Sequence, residues 1–456
     1  MDVVVTIPIN NEQNSLARKK SKIRVYCEEF CSKTGIHGTP MHLWDMPFPA
    51  VTICPEAKIK ATKFKLENED KLWNKLIDVL MFCRRNTSMT KLSPIPQHVV
   101  DLNTIKYLLT YVPSLKDIIH YTEPSEYINF FSPTLTNFGE CYTFNMIDKS
   151  ELFNDITYLY ENHSVHRKSC YWSVDDNYVI TKNNTIPVRA TAISDIFFLS
   201  LHTLVLEKNE QCNSNDGYKI ILHHPADIPT LLFQQSVPIA LSSNYKILIR
   251  PEVTVTSDNL KKYDPHRRHC FYSRERSLKF FKTYTKHNCK IECLANYTLS
   301  ECHCVPYFLP HEKSTTICSL VDASCASNCE KHMFHMDMEA EIDDEGPNIL
   351  RVCDCLPLCT LINYNTQVHH NKVGRVPGQP LSRSEVEIGY KEMEFPIMER
   401  QELFSNADFW ANCGGLLGLF TGFSVVSLAE IIYYLSIRWI CDLCCFGERI
   451  LRKRDH

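Results

Sequence analysis

Residues Cys413–Ile437, CGGLLGLFTGFSVVSLAEIIYYLSI, form a stretch of 25 residues with one charge, Glu430. As a helix rising about 1.5 Å per residue, this stretch outreaches the roughly 30 Å hydrocarbon core of a bilayer. It therefore predicts a chain with a membrane-spanning C-terminal segment. Gly414, Gly415, Gly418 and Gly422 interrupt it. Each glycine costs a helix about 1 kcal/mol relative to alanine, so an anchor has no need of so many. Glycines in a membrane helix let backbones approach closely, or let the helix break where it lines a cavity. Glu430 inside such a segment favours an ion path over a passive anchor, the plainer alternative.

The 22 cysteines divide by position. Sixteen lie between Cys54 and Cys359, in a segment that also carries the glycosylation sequons at Asn86, Asn162, Asn183 and Asn296. An even count beside sequons reads as an oxidised extracellular domain. Cys27, Cys31, Cys413, Cys441, Cys444 and Cys445 flank or enter the membrane segment and read as free thiols or acylation sites. The formal charge of -4 gives no reason to expect nucleic acid as a partner. Basic clusters at Arg18–Arg24 and Arg449–Arg454 give both ends a cytoplasmic character, and no secretory signal opens the chain.

An extended entry strand is expected over Pro40–Cys54, helices over Lys65–Asn86 and Thr104–His120, and strands over Cys141–Ile147 and Tyr218–His223. A turn is expected at Pro225–Pro229. Tyr245–Ser257 alternates as a long strand, which Pro251 consigns to an edge or a bulge. Ser277–Leu294 reads as a helix with Cys289 and Cys293 on one face, about 6 Å apart along the axis. Cys353 and Cys355 read as neighbours in an extended segment, about 6.6 Å apart. The two pairs can then form parallel rungs. Met336–Gly346 reads as an acidic loop and His369-His370 as a solvated loop feature.

The signatures of catalysis are missing. The chain has no Gly-x-Ser-x-Gly elbow, His-Glu-x-x-His helix, P-loop or dinucleotide fingerprint. Cys302-His303-Cys304 and Cys353-Asp354-Cys355 are dense enough to suggest a metal, but their spacing suits disulfides better than zinc. Neither an enzyme nor a cofactor is expected.

Five motifs stand in one order: Phe30-Cys31 through Gly35-Ile36-His37-Gly38; Pro47-Phe48-Pro49-Ala50-Val51-Thr52-Ile53-Cys54; Gly139-Glu140-Cys141-Tyr142-Thr143-Phe144-Asn145; Val352-Cys353-Asp354-Cys355-Leu356-Pro357-Leu358-Cys359; and the glycine-rich membrane segment. Together they resemble the degenerin/epithelial sodium channel family, especially its insect pickpocket branch. The resemblance implies a membrane α+β fold, with a disulfide-rich extracellular domain of β-sheet palm and helical finger and thumb, and a C-terminal transmembrane pore helix. The corresponding spans are a cytoplasmic tail 1–39, an extracellular domain 40–408 with a thumb-like region 258–365, a pore helix 409–440 and a cytoplasmic tail 441–456. It implies the bridges Cys270–Cys359, Cys289–Cys355, Cys293–Cys353, Cys302–Cys325, Cys304–Cys318 and Cys54–Cys141. Cys170–Cys212 is a further assignment, with Cys83 and Cys329 left unassigned. A cross-linked thumb suits a rigid lever, although bridges stabilise a loop-rich domain in either case.

The resemblance also implies site residues and partners. Gly422-Phe423-Ser424 matches the selectivity filter, with Phe423 larger than the usual small residue. Ala411 matches the degenerin position and Gly418 the amiloride-contact position. His37, Gly38, Gly414, Gly415 and Glu430 belong to the pore and gating set. The implied protein is a homo- or heterotrimeric, amiloride-sensitive sodium or cation channel subunit in the plasma membrane, gated by a chemical or mechanical stimulus. Sodium ions and the lipid bilayer are its partners. A non-conducting, membrane-anchored binding protein is the rival. In the family, a first membrane helix separates the His-Gly motif from the Pro-Phe-Pro-Ala strand. Here Gly38-Thr39 runs almost directly into Met41-His42-Leu43-Trp44, so that helix is expected to be missing and the chain is expected not to conduct alone.

Overall fold

The computed structural model of the chain describes residues 33–36, 41–58, 105–106, 109–119, 131–158, 197–202, 217–272, 274–319, 322–340, 353–372, 383–402, 406–422 and 424–440. The expected helix at Lys65–Asn86 and residues His37, Gly38, Cys83, Asn86, Asn162, Cys170, Asn183, Cys212 and Phe423 lie outside this set. The chain divides into two compact units, Thr34–Arg400 and a second that contains the C-terminal helices.

The first unit is built on two sheets. One has the order β4 (Phe131–Thr136), β5 (Gly139–Phe144), β3 (Ala50–Pro55), β7 (Gly217–His223), β8 (Ser236–Ala240). The other runs β1 (Lys33–Ile36), β13 (Ile397–Gln401), β9 (Ser243–Thr256), β11 (Arg383–Tyr390), β6 (Phe197–His202), with β10 (Leu361–Lys372) paired along β9. A short ladder joins β2 (Met41–His42) to β12 (Glu394–Phe395). Alternate side chains from both sheets meet in one core that includes Val51, Ile53, Phe144, Ile220, Leu201, Ile247, Ile249, Val386 and Ile388. Burying each such side chain is worth about 1.5–3 kcal/mol.

The Pro-Phe-Pro-Ala motif acts as the joint of this core. Phe48 is buried and meets the rings of Phe144, Phe197 and Tyr390 at centroid distances of 6.5, 6.1 and 5.7 Å. The flanking prolines keep this stretch extended, so its carbonyls project sideways. The Pro47 carbonyl accepts from the hydroxyls of Tyr364 at 2.9 Å and Tyr390 at 3.1 Å. The Phe48 carbonyl accepts from Asn145 Nδ2 at 2.6 Å. Asn145, the last residue of the Gly139–Asn145 motif, has φ 62°, a left-handed conformation that asparagine tolerates better than most residues. Two separate sequence motifs therefore form one junction, which the Cys54–Cys141 bridge closes.

Pro251 does not mark an edge. β9 is a central strand, antiparallel to β10 on one side and parallel on the other to β11 over 244–249 and β13 over 253–256. Ile249 accepts from Lys391 N, and main-chain groups two residues apart face the same edge. Pro251 thus faces the gap between β11 and β13, where its missing N–H breaks no ladder.

The region after β9 is held by helix α1 (Lys286–Cys302) and helix α2 (Ala323–Ala340). The helix expected at Ser277–Leu294 begins at Thr285, whose hydroxyl caps it by accepting from Asn288 N at 3.0 Å. The preceding stretch is pinned open because the buried Glu292 carboxylate accepts from Lys279 N at 2.9 Å and Phe280 N at 2.8 Å. Phe280, Phe281 and Tyr284 enter a second core with Ile291, Leu294, Leu309 and Leu358. Cys353–Cys355 is a turn, not an extended segment, with Asp354 at φ 51°. His369 and His370 lie in β10, not in a loop, and Met336–Ala340 end α2 instead of opening an acidic loop.

Asn288 ties α1 to the Pro225–Pro229 turn after β7. Its Oδ1 accepts from Ile228 N at 3.1 Å and its Nδ2 donates to the Ala226 carbonyl at 2.8 Å. Asn288 is 0% exposed. Asn288→Leu leaves two buried main-chain groups unpaired, at about 1–3 kcal/mol each. The expected result is a urea midpoint well below wild type and faster tryptic cleavage near Lys286. An unchanged midpoint would show that this tie contributes little.

Candidate functional site

The C-terminal unit consists of helix α3 (Asn406–Thr421), a break at Gly422–Ser424, and helix α4 (Val425–Ile432), which continues through a π-turn at Tyr433–Ile437. No single helix among the described residues is long and apolar enough to cross a membrane. Ala407–Thr421 and Val425–Ile440 meet that requirement together, bent by 87° at the break. The residues expected as a pore helix over 409–440 form this bent pair, with the break falling among the glycines that suggest one.

The break follows from two residues. Gly422 has φ +64°, which costs a residue with a Cβ about 1–2 kcal/mol, and it ends α3 with its N–H on the Gly418 carbonyl at 3.1 Å. Ser424 then caps α4 by accepting from Ser427 N at 3.2 Å, and its carbonyl accepts from Leu428 N at 3.0 Å. The Gly422 N–H thus closes α3 and the Ser424 carbonyl opens α4, and the helical ladder is interrupted between the two helices. In the hydrocarbon region, a non-helical backbone is tolerated only where it is buried in protein or lines a water-filled cavity.

Most side chains of these two helices are apolar and exposed. Leu419 and Phe420 are each 79% exposed and Val425 is 83% exposed, far beyond what a water-facing surface carries as a continuous band. Phe409 and Trp410 stand at one end, with Tyr433, Tyr434 and Trp439 toward the other, in the manner of interfacial aromatic belts. Ala411, Gly414, Gly415, Gly418 and Glu430 are exposed on these helices. A Cβ added at Gly414 or Gly415 meets nothing within 4 Å, so nothing in the chain's own packing requires glycine there.

In the first unit, the structure joins Cys270–Cys359, Cys289–Cys355, Cys293–Cys353, Cys302–Cys325 and Cys304–Cys318. Three of these staple α1 and its flanking chain to the 353–359 segment. Cys329 is a buried free thiol. Asn296 is exposed on α1, accessible to a glycan, while Thr298 of the same sequon is buried and donates to the Leu294 carbonyl at 2.8 Å.

A cleft of about 550 Å³ opens between the end of β7, the first turn of α1 and β10, within the size range of small-ligand sites. His223, His224, Asp227, His287 and Lys290 line it. His223 shares a hydrogen bond with the Thr52 hydroxyl at 2.8 Å, and His287 Nε2 donates to the Ile228 carbonyl at 2.7 Å. Burial holds His223 down at about 4, and His224 at about 3 with help from the neighbouring His223. Burial likewise holds His287 at about 3, with smaller effects from His223 and Lys290. Burial pushes Asp227 up to about 7, against a hydrogen bond from Thr285. The sequence marks the Pro225–Pro229 turn but not the histidines before it, for which the His-His dipeptide at a strand end was the available signal.

This cluster predicts a pH response. Neutral imidazoles in the fold stabilise it above their ordinary value near 6.5, and that contribution is lost as pH falls toward 4 and 3. Asp227 acts oppositely, its contribution being complete at low pH and lost as pH rises through about 7. Three groups outweigh one, so amide protection factors in the first turns of α1, corrected for the intrinsic exchange rate at each pH, are expected to fall between about pH 6.5 and pH 4. Protection factors that rise over that interval would reverse the assignment.

The family described as "Amiloride-sensitive sodium channel" matches residues 26–434. Pickpocket protein 28 of Drosophila melanogaster is 25% identical over 449 residues, covering 90% of this chain and 69% of its own length. Pickpocket protein 11 of the same fly is 25% identical over 295 residues, 62% of this chain and 54% of its own. The bile acid-sensitive ion channel of Homo sapiens is 28% identical over 176 residues, 36% of this chain and 34% of its own.

Proposed function

The chain belongs to the amiloride-sensitive sodium channel family, a family of ion channels and not of enzymes, and from that premise we propose that it is a pickpocket-type subunit of a cation channel in the plasma membrane. The assembly is a homo- or heterotrimer with related subunits, permeable to sodium and gated by a chemical or mechanical stimulus acting on the stapled domain. The observation that carries this reading is the break at Gly422, with Ser424 capping the next helix. Carbonyls freed from a helix can replace part of an ion's hydration shell when several chains bring them to one axis. Gly414 and Gly415 supply the small surfaces that close helix approach needs.

The His-Gly and Pro-Phe-Pro-Ala motifs are too close in sequence to hold a first membrane helix between them. We therefore expect little or no current from this chain alone and a current when it is co-expressed with a full-length pickpocket subunit. In that assembly, Ser424→Leu is expected to abolish current or shift the Na⁺/K⁺ reversal potential. An unchanged reversal potential in a conducting assembly that contains the variant chain would remove Ser424 from the ion path.

A further inference from the structure

We propose that Cys302 is shared between two partners, Cys325 and Cys329, and that exchange between them moves a free thiol from a buried to a more exposed position. Cys302 is the last residue of α1 and is bonded to Cys325 near the start of α2. Cys329 lies one turn further along α2, on the same face, about 6 Å along the axis. Its Sγ is 3.7 Å from Cys302 Sγ, the contact distance of two sulfurs, and the three sulfurs all lie within 4.8 Å of one another. A thiol in contact with a disulfide sulfur is one side-chain rotation from exchange: with an ordinary S–S bond of about 2.05 Å the three sulfurs subtend at most about 110°, and the Cys329 side chain must turn toward the line of the Cys302–Cys325 bond to attack.

The step balances without any added reagent. The Cys329 thiol gives up its proton and the thiolate attacks Cys302 Sγ. The Cys302–Cys329 bond forms as the Cys302–Cys325 bond breaks, and Cys325 leaves as a thiolate that takes up a proton. One disulfide and one thiol are present before and after. The outcome differs in exposure, since Cys329 is 5% exposed whereas Cys325 is only partly buried. The exchanged form therefore offers a thiol to oxidants and electrophiles that the original form protects. Burial, and the nearby Glu301 after it, hold the Cys329 thiol above its ordinary range, against a hydrogen bond from Thr298. Exchange is accordingly slow at neutral pH and accelerates as pH rises.

The test uses the full chain purified in detergent without reductant. It is incubated at about pH 7 or about pH 9 with no added thiol, then quenched in acid. Alkylation with N-ethylmaleimide before and after denaturation, followed by peptide mapping, assigns each sulfur. The expected result is a Cys302–Cys329 linked peptide with Cys325 alkylated, at least several-fold more abundant at the higher pH. In C325S, a Cys302–Cys329 bridge is expected. Cys302 linked to Cys325 alone at both pH values would overturn the proposal, as would Cys329 bonded to any other cysteine. So would alkylation of both Cys302 and Cys329 in C325S. Should C325S fail to fold, the wild-type time course decides the matter by itself.

Discussion

Gly422→Val is expected to abolish current in a co-expressed assembly while leaving the amount of protein at the cell surface close to wild type. Gly422 sits at φ +64°, where a β-branched side chain collides with its own backbone. Valine forfeits about 1–2 kcal/mol by staying there and regains it by entering the right-handed region. With that change α3 and α4 tend to fuse into one helix, and the break is lost. A Cβ at this position meets nothing within 4 Å, so the effect is conformational and not a packing clash within the chain. Gly422→Ala, which tolerates the left-handed region only slightly better, should retain at most a small fraction of the current. Surface labelling together with whole-cell recording separates loss of conduction from loss of delivery. Current of normal size and selectivity through an assembly shown to contain the valine chain would mean that the break has no role in conduction.

Ala411→Val is expected to raise resting current several-fold in the same assembly. Ala411 is exposed on α3, one turn before Gly414-Gly415, and valine costs a helix only about 0.6 kcal/mol relative to alanine. Helix stability therefore does not predict a large effect. Crowding at the closed axis of the proposed trimer does, because close-packed surfaces do not absorb two extra methyl groups. Basal current is the readout. If it is unmoved while wild-type assemblies conduct, Ala411 does not face the axis and the alignment of the pore segment shifts by at least one residue.

Individual strands were readable where local chemistry decides structure, but not their division between two sheets or the joint that links them. The proline-flanked Phe48 and the alternating strands at Tyr218–His223 and Tyr245–Ser257 lie near their expected places. What misled periodicity was distant in sequence. Leu278, Phe281 and Tyr284 have helical spacing, but Glu292 captures the amides of Lys279 and Phe280, and the segment stays open. Pro251 reads as an edge signal because no sequence rule can foresee that two separate parallel strands leave a gap opposite it. The membrane segment was legible in composition but not in shape. Its four glycines hint at a break, and only the backbone angle at Gly422 and the cap at Ser424 say where it falls. The histidine cluster went unread because His223 and His287 are 64 positions apart by their numbering, and a fold must bring them together.

The parallel pairing of β13 with β9 has a mechanical consequence. Residues 397–400 run beside residues 253–256 in the same direction, and Ser257 N extends the ladder to the Arg400 carbonyl at 3.0 Å. Both strands therefore exit at the same end, β13 toward α3 five residues after Gln401 and β9 toward the stapled region that holds α1. Tension between those two exits loads the pairing from its open end, so the hydrogen bonds break in succession, as in a zipper. Tension between α3 and the opposite end of β9 would instead strain every bond in the ladder at once. The same four-residue ladder is thus soft to one direction of pull and stiff to the other.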